Sequence, residues 1–136
     1  MTMTQKINNW LNALYAQIDA FNTMPFVWGT HDCCSFAADC VLAMTGTDKM
    51  AGYRGGYKSA VGASRKLAKA GGMVAAITAE LGEPINPSLA QRGDVVCFTS
   101  PLGDTCGVCL GSTIAAAGLG GITHTPMVQA FKAWRV

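Results

Sequence analysis

Apolar side chains recur every three or four residues along the first half of the chain and run together in the second. Between about Thr4 and Asn22, Trp10, Leu11, Leu14, Tyr15, Ile18 and Phe21 share one helical face. Pro25 prevents simple continuation. The spacing of Cys33, Phe36, Ala37, Cys40, Val41 and Met44 predicts a second helix beginning at Asp32 or Cys33 and ending at Gly46. Gly52, Gly55 and Gly56 mark a loop, after which Ser59 to Ala70 and Met73 to Leu81 read as shorter helices separated by Gly71-Gly72. Pro84 and Pro87 close the helical half.

From Asp94 the pattern changes. Val95, Val96, Cys97 and Phe98 form an unbroken apolar run, which suits a strand buried on both faces. Gly107 to Ile114, Gly121 to Thr125 and Ala133 to Val136 are the further strand candidates. Helices first and strands second predict an α+β fold, with N-terminal helices packed on a small C-terminal antiparallel sheet. No linker, repeat or low-complexity tract divides the chain, so residues 1–136 are expected to form one domain.

Composition narrows the functional classes. Only 13% of the 136 residues are charged, against about 25% in an average soluble domain. That shortage is expected where part of the surface is covered by a partner, or in a compact enzyme rich in Gly and Ala. The net charge of +2 gives no argument for nucleic acid. Arg54, Lys58, Arg65, Lys66 and Lys69 fall in one segment without acids, read first as a solvated face. Residues 105–131 carry no charged side chain, but their glycines and interspersed Thr, Ser, His and Pro argue for short strands and tight turns rather than membrane insertion. The first 21 residues intersperse Gln, Asn and Asp among apolar ones, unlike the apolar core of a secretory signal, so synthesis and retention in a cytoplasm are expected.

Six cysteines in such a setting are not expected to be a disulfide framework. They can be buried small hydrophobes, metal ligands or include a nucleophile. Cys106-x-x-Cys109 is the candidate metal or iron-sulfur pair, provided it forms a turn. On a regular strand its sulfurs point to opposite faces, so no cofactor is expected.

Cys33, at a helix start, is the candidate nucleophile, because unpaired amides and the helix dipole favour a thiolate there. Asp32 can cap that helix. Cys34 is rotated roughly 100° from Cys33, which predicts a packing role.

The stretches Phe26-Val27-Trp28-Gly29, Asp32-Cys33-Cys34-Ser35 and Arg92-Gly93-Asp94-Val95-Val96-Cys97-Phe98 resemble the NlpC/P60 family of papain-like cysteine peptidases, over roughly residues 24–125. The resemblance implies a papain-like fold, peptidoglycan stem peptides as substrate, and Cys33 as nucleophile. The family's catalytic His opens a strand of the form His-Val-Gly-Ile-Tyr-Leu-Gly, similar here to Thr105-Cys106-Gly107-Val108-Cys109-Leu110-Gly111. Thr105 therefore stands where that His is expected, and Phe26 replaces a Tyr that assists oxyanion binding. His124 is the remaining candidate base. Trp28, His31 and Asp32 are supporting residues, with His31 expected at the mouth of the cleft.

Trp28 to Phe36, Tyr53 to Tyr57, Arg92 to Val96 and Ala133 to Val136 together also resemble a family of small phage and prophage proteins encoded in tail modules. That resemblance implies a component of the virion tail tip, made in the host cytoplasm and contacting baseplate hub proteins or peptidoglycan. Binding without catalysis is the leading expectation, and an active cysteine peptidase the alternative.

Overall fold

The computed structural model describes residues 5–136. Four helices precede a five-stranded sheet: α1 (Trp10–Asn22), α2 (Cys33–Thr45), α3 (Ala60–Lys69) and α4 (Met73–Leu81), then β1 (Val95–Ser100), β2 (Gly103–Cys109), β3 (Thr113–Gly118), β4 (Gly121–Pro126) and β5 (Ala130–Trp134). Two short 3-10 turns, Pro87–Leu89 and Met127–Gln129, join the pieces. The chain is α+β, and every strand pair is antiparallel in the order β4-β3-β2-β1-β5.

The apolar pattern explains how the layers meet. Leu14, Ile18 and Phe21 of α1 and Phe36, Ala37, Cys40, Val41 and Met44 of α2 bury against Val95, Cys97, Cys106, Val108, Ala115, Ala117 and Trp134. The other sheet face buries Val96, Phe98, Cys109, Ile114, Ala116 and Ala133 under Ile85, Ala90, Met127 and Ala130. Val95 to Phe98 are thus covered on both sides, as their unbroken apolar run predicts.

Three boundaries differ from expectation. Helix α1 begins at Trp10 rather than near Thr4, and Thr4 itself lies outside the described residues. The expected strand Gly107 to Ile114 is instead the end of β2, a turn and the start of β3. Gly111, at φ +102°, permits that turn, and Leu110 N–H donates to Thr113 O at 2.8 Å across it. The last strand is Ala130–Trp134 rather than Ala133 to Val136.

Asp94, at the start of the sheet, fixes where β1 begins. Its buried carboxylate accepts from Gln91 N–H at 2.9 Å and from Val136 N–H at 3.0 Å, joining the turn before β1 to the last residue. No described helix is long and apolar enough to cross a membrane.

Candidate functional site

Helix α2 starts against the sheet because of one buried carboxylate. Asp32 caps the helix through Oδ1, which accepts from Ser35 N–H and Ser35 Oγ, each at 2.9 Å. Ser35 Oγ in turn accepts from Asp32 N–H at 2.7 Å, completing a reciprocal capping box. Oδ2 takes Gly29 N–H at 2.8 Å and the Tyr57 hydroxyl at 2.5 Å. Asp32 therefore gathers the Trp28-Gly29 turn, the helix start and the loop before α3 around one charge. Burial, then the hydrogen bond to Asp32, push the Tyr57 hydroxyl well above its ordinary value, so Tyr57 stays a donor.

Gly29 admits that loop. At φ +90° its backbone suits glycine, and a Cβ would lie 2.1 Å from Tyr57 O. Trp28 meets Phe26 edge-on, ring centroids 5.0 Å apart.

Cys33 and Cys34 are the first two residues of α2, and Cys106 faces them from β2. Cys34 Sγ lies 4.0 Å from Cys33 Sγ and 3.6 Å from Cys106 Sγ, and all three sulfurs fall within 4.8 Å of one another. Cys106 Sγ also lies 3.6 Å from the Cys33 carbonyl oxygen. Cys34 packs against the core, as expected, and its sulfur also stands within reach of both Cys33 and Cys106.

The cluster distributes its protons unequally. Hydrogen bonds from the thiols of Cys106 and then Cys34 hold Cys33 well below the ordinary thiol value, against the opposing effects of burial and Asp32. Cys106 is raised by its contacts with Cys33, then with Cys34, and by burial. Cys34 gains from the Cys106 hydrogen bond, yet is raised overall by donating to Cys33 and by burial. Within the cluster the shift is downward at Cys33 alone. A cavity of ≈ 90 Å³ between α2, the 49–57 loop, α3, α4 and the sheet is lined by Cys34, Met50, Tyr57, Ile77 and Cys106 among others.

The candidate bases lie elsewhere. Thr105 pairs with Phe98 and so projects from the sheet face away from α2, where its hydroxyl meets Ser100 Oγ at 2.7 Å. Its placement opposite Cys33 is thereby corrected: Cys106, one residue on, faces α2. His124 is exposed on β4, paired with Ala115, and β3 separates β4 from β2. His31 is half-buried, edge-on to Phe21 at 5.7 Å, with its Nδ1 buried and unpartnered among the described residues. No hydrogen bond joins either histidine to Cys33 among the described residues. Cys109 faces the opposite sheet layer from Cys106, which rules out the Cys106-Cys109 pair as joint ligands of one ion.

The Trp28-Gly29 turn, the capped Asp32-Cys33 helix start and the Arg92-Gly93-Asp94 strand entry all lie within one family match, which spans residues 5–136. The chain belongs to the domain family of unknown function DUF6950. Among curated proteins, none matches its sequence. In this DUF6950 domain the basic segment is partly internal: Arg54 pairs with Asp39 at 2.7 Å and Asp48 at 2.9 Å, and Lys66 sits 5.7 Å over the Tyr53 ring. Lys58, Arg65 and Lys69 remain exposed.

Tyr57 and Ser35 are site residues that the sequence left unassigned, and Cys106, expected only as a metal ligand beside Cys109, joins Cys33 and Cys34 instead. Ser35 carried a signal, since Asp-x-x-Ser matches the spacing of a helix cap. Tyr57 and Cys106 reach the site only through loop path and strand register.

Proposed function

We propose that this DUF6950 domain is a phage or prophage tail-tip component, in or beside the baseplate hub, built on a papain-like NlpC/P60-type scaffold that binds rather than cuts. The observation that carries this reading is the group facing Cys33. Hydrolysis by a cysteine nucleophile needs a base, usually imidazole, that takes the thiol proton and later protonates the leaving amine. The side chain facing Cys33 from β2 is instead the Cys106 thiol, 3.6 Å from the Cys33 carbonyl oxygen and 3.6 Å from Cys34 Sγ, and raised by its contacts with Cys33 and Cys34 and by burial. A thiol raised in this way is a poor general base near neutral pH. Phe26 contributes a ring without a hydroxyl, and the nearby Tyr57 hydroxyl is committed to Asp32. Oxyanion stabilisation is commonly worth about 3 kcal/mol, so its loss compounds that of the base.

The tail setting rests on the resemblance of the Trp28 to Phe36, Tyr53 to Tyr57, Arg92 to Val96 and Ala133 to Val136 motifs to phage tail-module proteins. The low charge content fits a surface covered in an assembly. Hub proteins are the expected partners, peptidoglycan a further ligand, and neither nucleic acid nor membrane insertion is part of the reading.

One observation favours the alternative, an active peptidase on peptidoglycan stem peptides. Cys33 keeps both the helix-start position and a lowered thiol value. Particles carrying Cys33→Ala separate the two. The binding reading expects the chain in purified virions and normal infectivity. Normal particles that fail to enter cells would favour the peptidase, and absence of the chain from virions would remove the tail assignment.

A further inference from the structure

The sulfurs of Cys33, Cys34 and Cys106 are arranged as a ligand set. A zinc ion with sulfur ligands at about 2.3 Å in tetrahedral geometry requires sulfurs about 3.8 Å apart, and trigonal coordination requires about 4.0 Å. The two closest pairs stand at 3.6 and 4.0 Å, and the third pair closes within 4.8 Å. Small rotamer adjustments would close it fully. The sulfurs come from two rigid elements, a capped helix and a central strand, so their spacing does not depend on a loop.

The remaining chemistry selects the kind of ion. The nearest carboxylate, Asp32, is occupied by Gly29, Ser35 and Tyr57, and no imidazole or carboxylate joins the group among the described residues. Three sulfurs without a fourth protein ligand suit soft, thiophilic cations and disfavour hard ones such as Mg²⁺ or Ca²⁺. The amides at the start of α2 offset part of the negative charge that thiolates place there. The cavity lined by Cys34 and Cys106 gives access and leaves room for an exogenous fourth ligand.

The geometry points to a three-cysteine site for a thiophilic d¹⁰ cation, Zn²⁺ or Cu⁺, held by Cys33, Cys34 and Cys106 with an open position toward the cavity. Binding exchanges the thiol protons for the cation and changes no oxidation state. It is independent of the tail assignment, and it occupies the sulfur that a peptidase would need free.

The full chain, reduced and stripped of metal under anaerobic conditions, tests this by titration with Zn²⁺ and with Cu⁺ against chromophoric chelators. One ion per chain is expected, with affinity lowered at least about tenfold in Cys34→Ser and in Cys106→Ser. Cys97→Ala and Cys109→Ala should leave it unchanged. X-ray absorption of the loaded wild-type chain reads the ligands without any variant. Three sulfurs at about 2.3 Å are expected, alone for Cu⁺ and with one lighter atom for Zn²⁺. A wild-type chain that competes for neither ion, or a shell dominated by nitrogen and oxygen, would overturn the site.

Discussion

The Tyr57 hydroxyl donates to Asp32 Oδ2 at 2.5 Å, bridging 25 positions of sequence to the residue that caps α2. Through this bond the loop before α3, the Trp28-Gly29 turn and the first turn of the Cys33 helix share one buried charge. The position of Cys33 is consequently a property of the carboxylate beside it as much as of the helix that carries it.

Replacing Asp32 should therefore destabilise the whole N-terminal layer. Every group around the carboxylate is a donor: Gly29 N–H, Ser35 N–H, Ser35 Oγ–H and Tyr57 O–H. Asp32→Asn keeps the shape but turns one acceptor into a donor, and is expected to cost about 2 to 4 kcal/mol in urea unfolding. Tyr57→Phe removes a single bond to the charge and should cost about 1.5 to 3 kcal/mol. An Asn variant as stable as wild type would show that the carboxylate does not organise the site.

Gly29→Ala tests the same loop from its backbone. A Cβ there would approach Tyr57 O to 2.1 Å, in a conformation at φ +90° that alanine resists. Strain and overpacking together predict a loss of about 2 to 5 kcal/mol by thermal or chemical denaturation. Gly46→Ala, at φ +81° with no atom within 4 Å of the new Cβ, should carry only the conformational part of that loss.

Alkaline stability follows from the buried thiols. Burial raises Cys97 to about 12, and raises Cys40 further still. Each is neutral when folded while the unfolded thiol ionises near 8.5. Above that pH the unfolded state binds fewer protons, so stability is complete below about 8.5 and falls as pH rises toward 12. The expected slope is about 1.4 kcal/mol per pH unit for each such cysteine. Cys97→Val should reduce the slope measured by urea unfolding between pH 8.5 and pH 10 (roughly that window). An unchanged slope would show that Cys97 does not stay protonated in the fold.

Cys33 has the opposite sign. Because the Cys106 and Cys34 thiols beside it lower its own, alkylation of Cys33 should approach its maximum rate at a pH well below the free thiol value of about 8.5. Cys106→Ala removes the leading donor and should move the midpoint upward. Mass mapping of the modified peptide against pH reads both. A wild-type midpoint at the ordinary value would mean the cluster does not hold a thiolate.

Much of this architecture is legible in the linear pattern. The apolar spacing from Trp10 to Phe21 and from Cys33 to Met44 identifies α1 and α2, and Asp32 ahead of the second run marks its cap. Strand register is not legible, and it decides the site. A shift of one residue moves Thr105 out of the cleft and Cys106 into it. Strand β3 escapes prediction because Thr113-Ile114-Ala115-Ala116-Ala117-Gly118 is rich in alanine and glycine, which have little strand preference of their own. It forms because hairpin partners on both sides supply its hydrogen bonds. Tyr57 is equally hidden, since nothing local indicates that its loop returns to Asp32.

Cleavage of peptidoglycan stem peptides tests the central claim most directly. Purified, reduced chain is incubated with muropeptides across pH 6 to pH 9 (roughly), and new amino termini are counted by mass spectrometry beside a Cys33→Ala control. No cleavage above the control is expected at any pH, because a thiol, Cys106, faces Cys33 where a base is needed. Thiol-dependent cleavage that disappears in Cys33→Ala would contradict it.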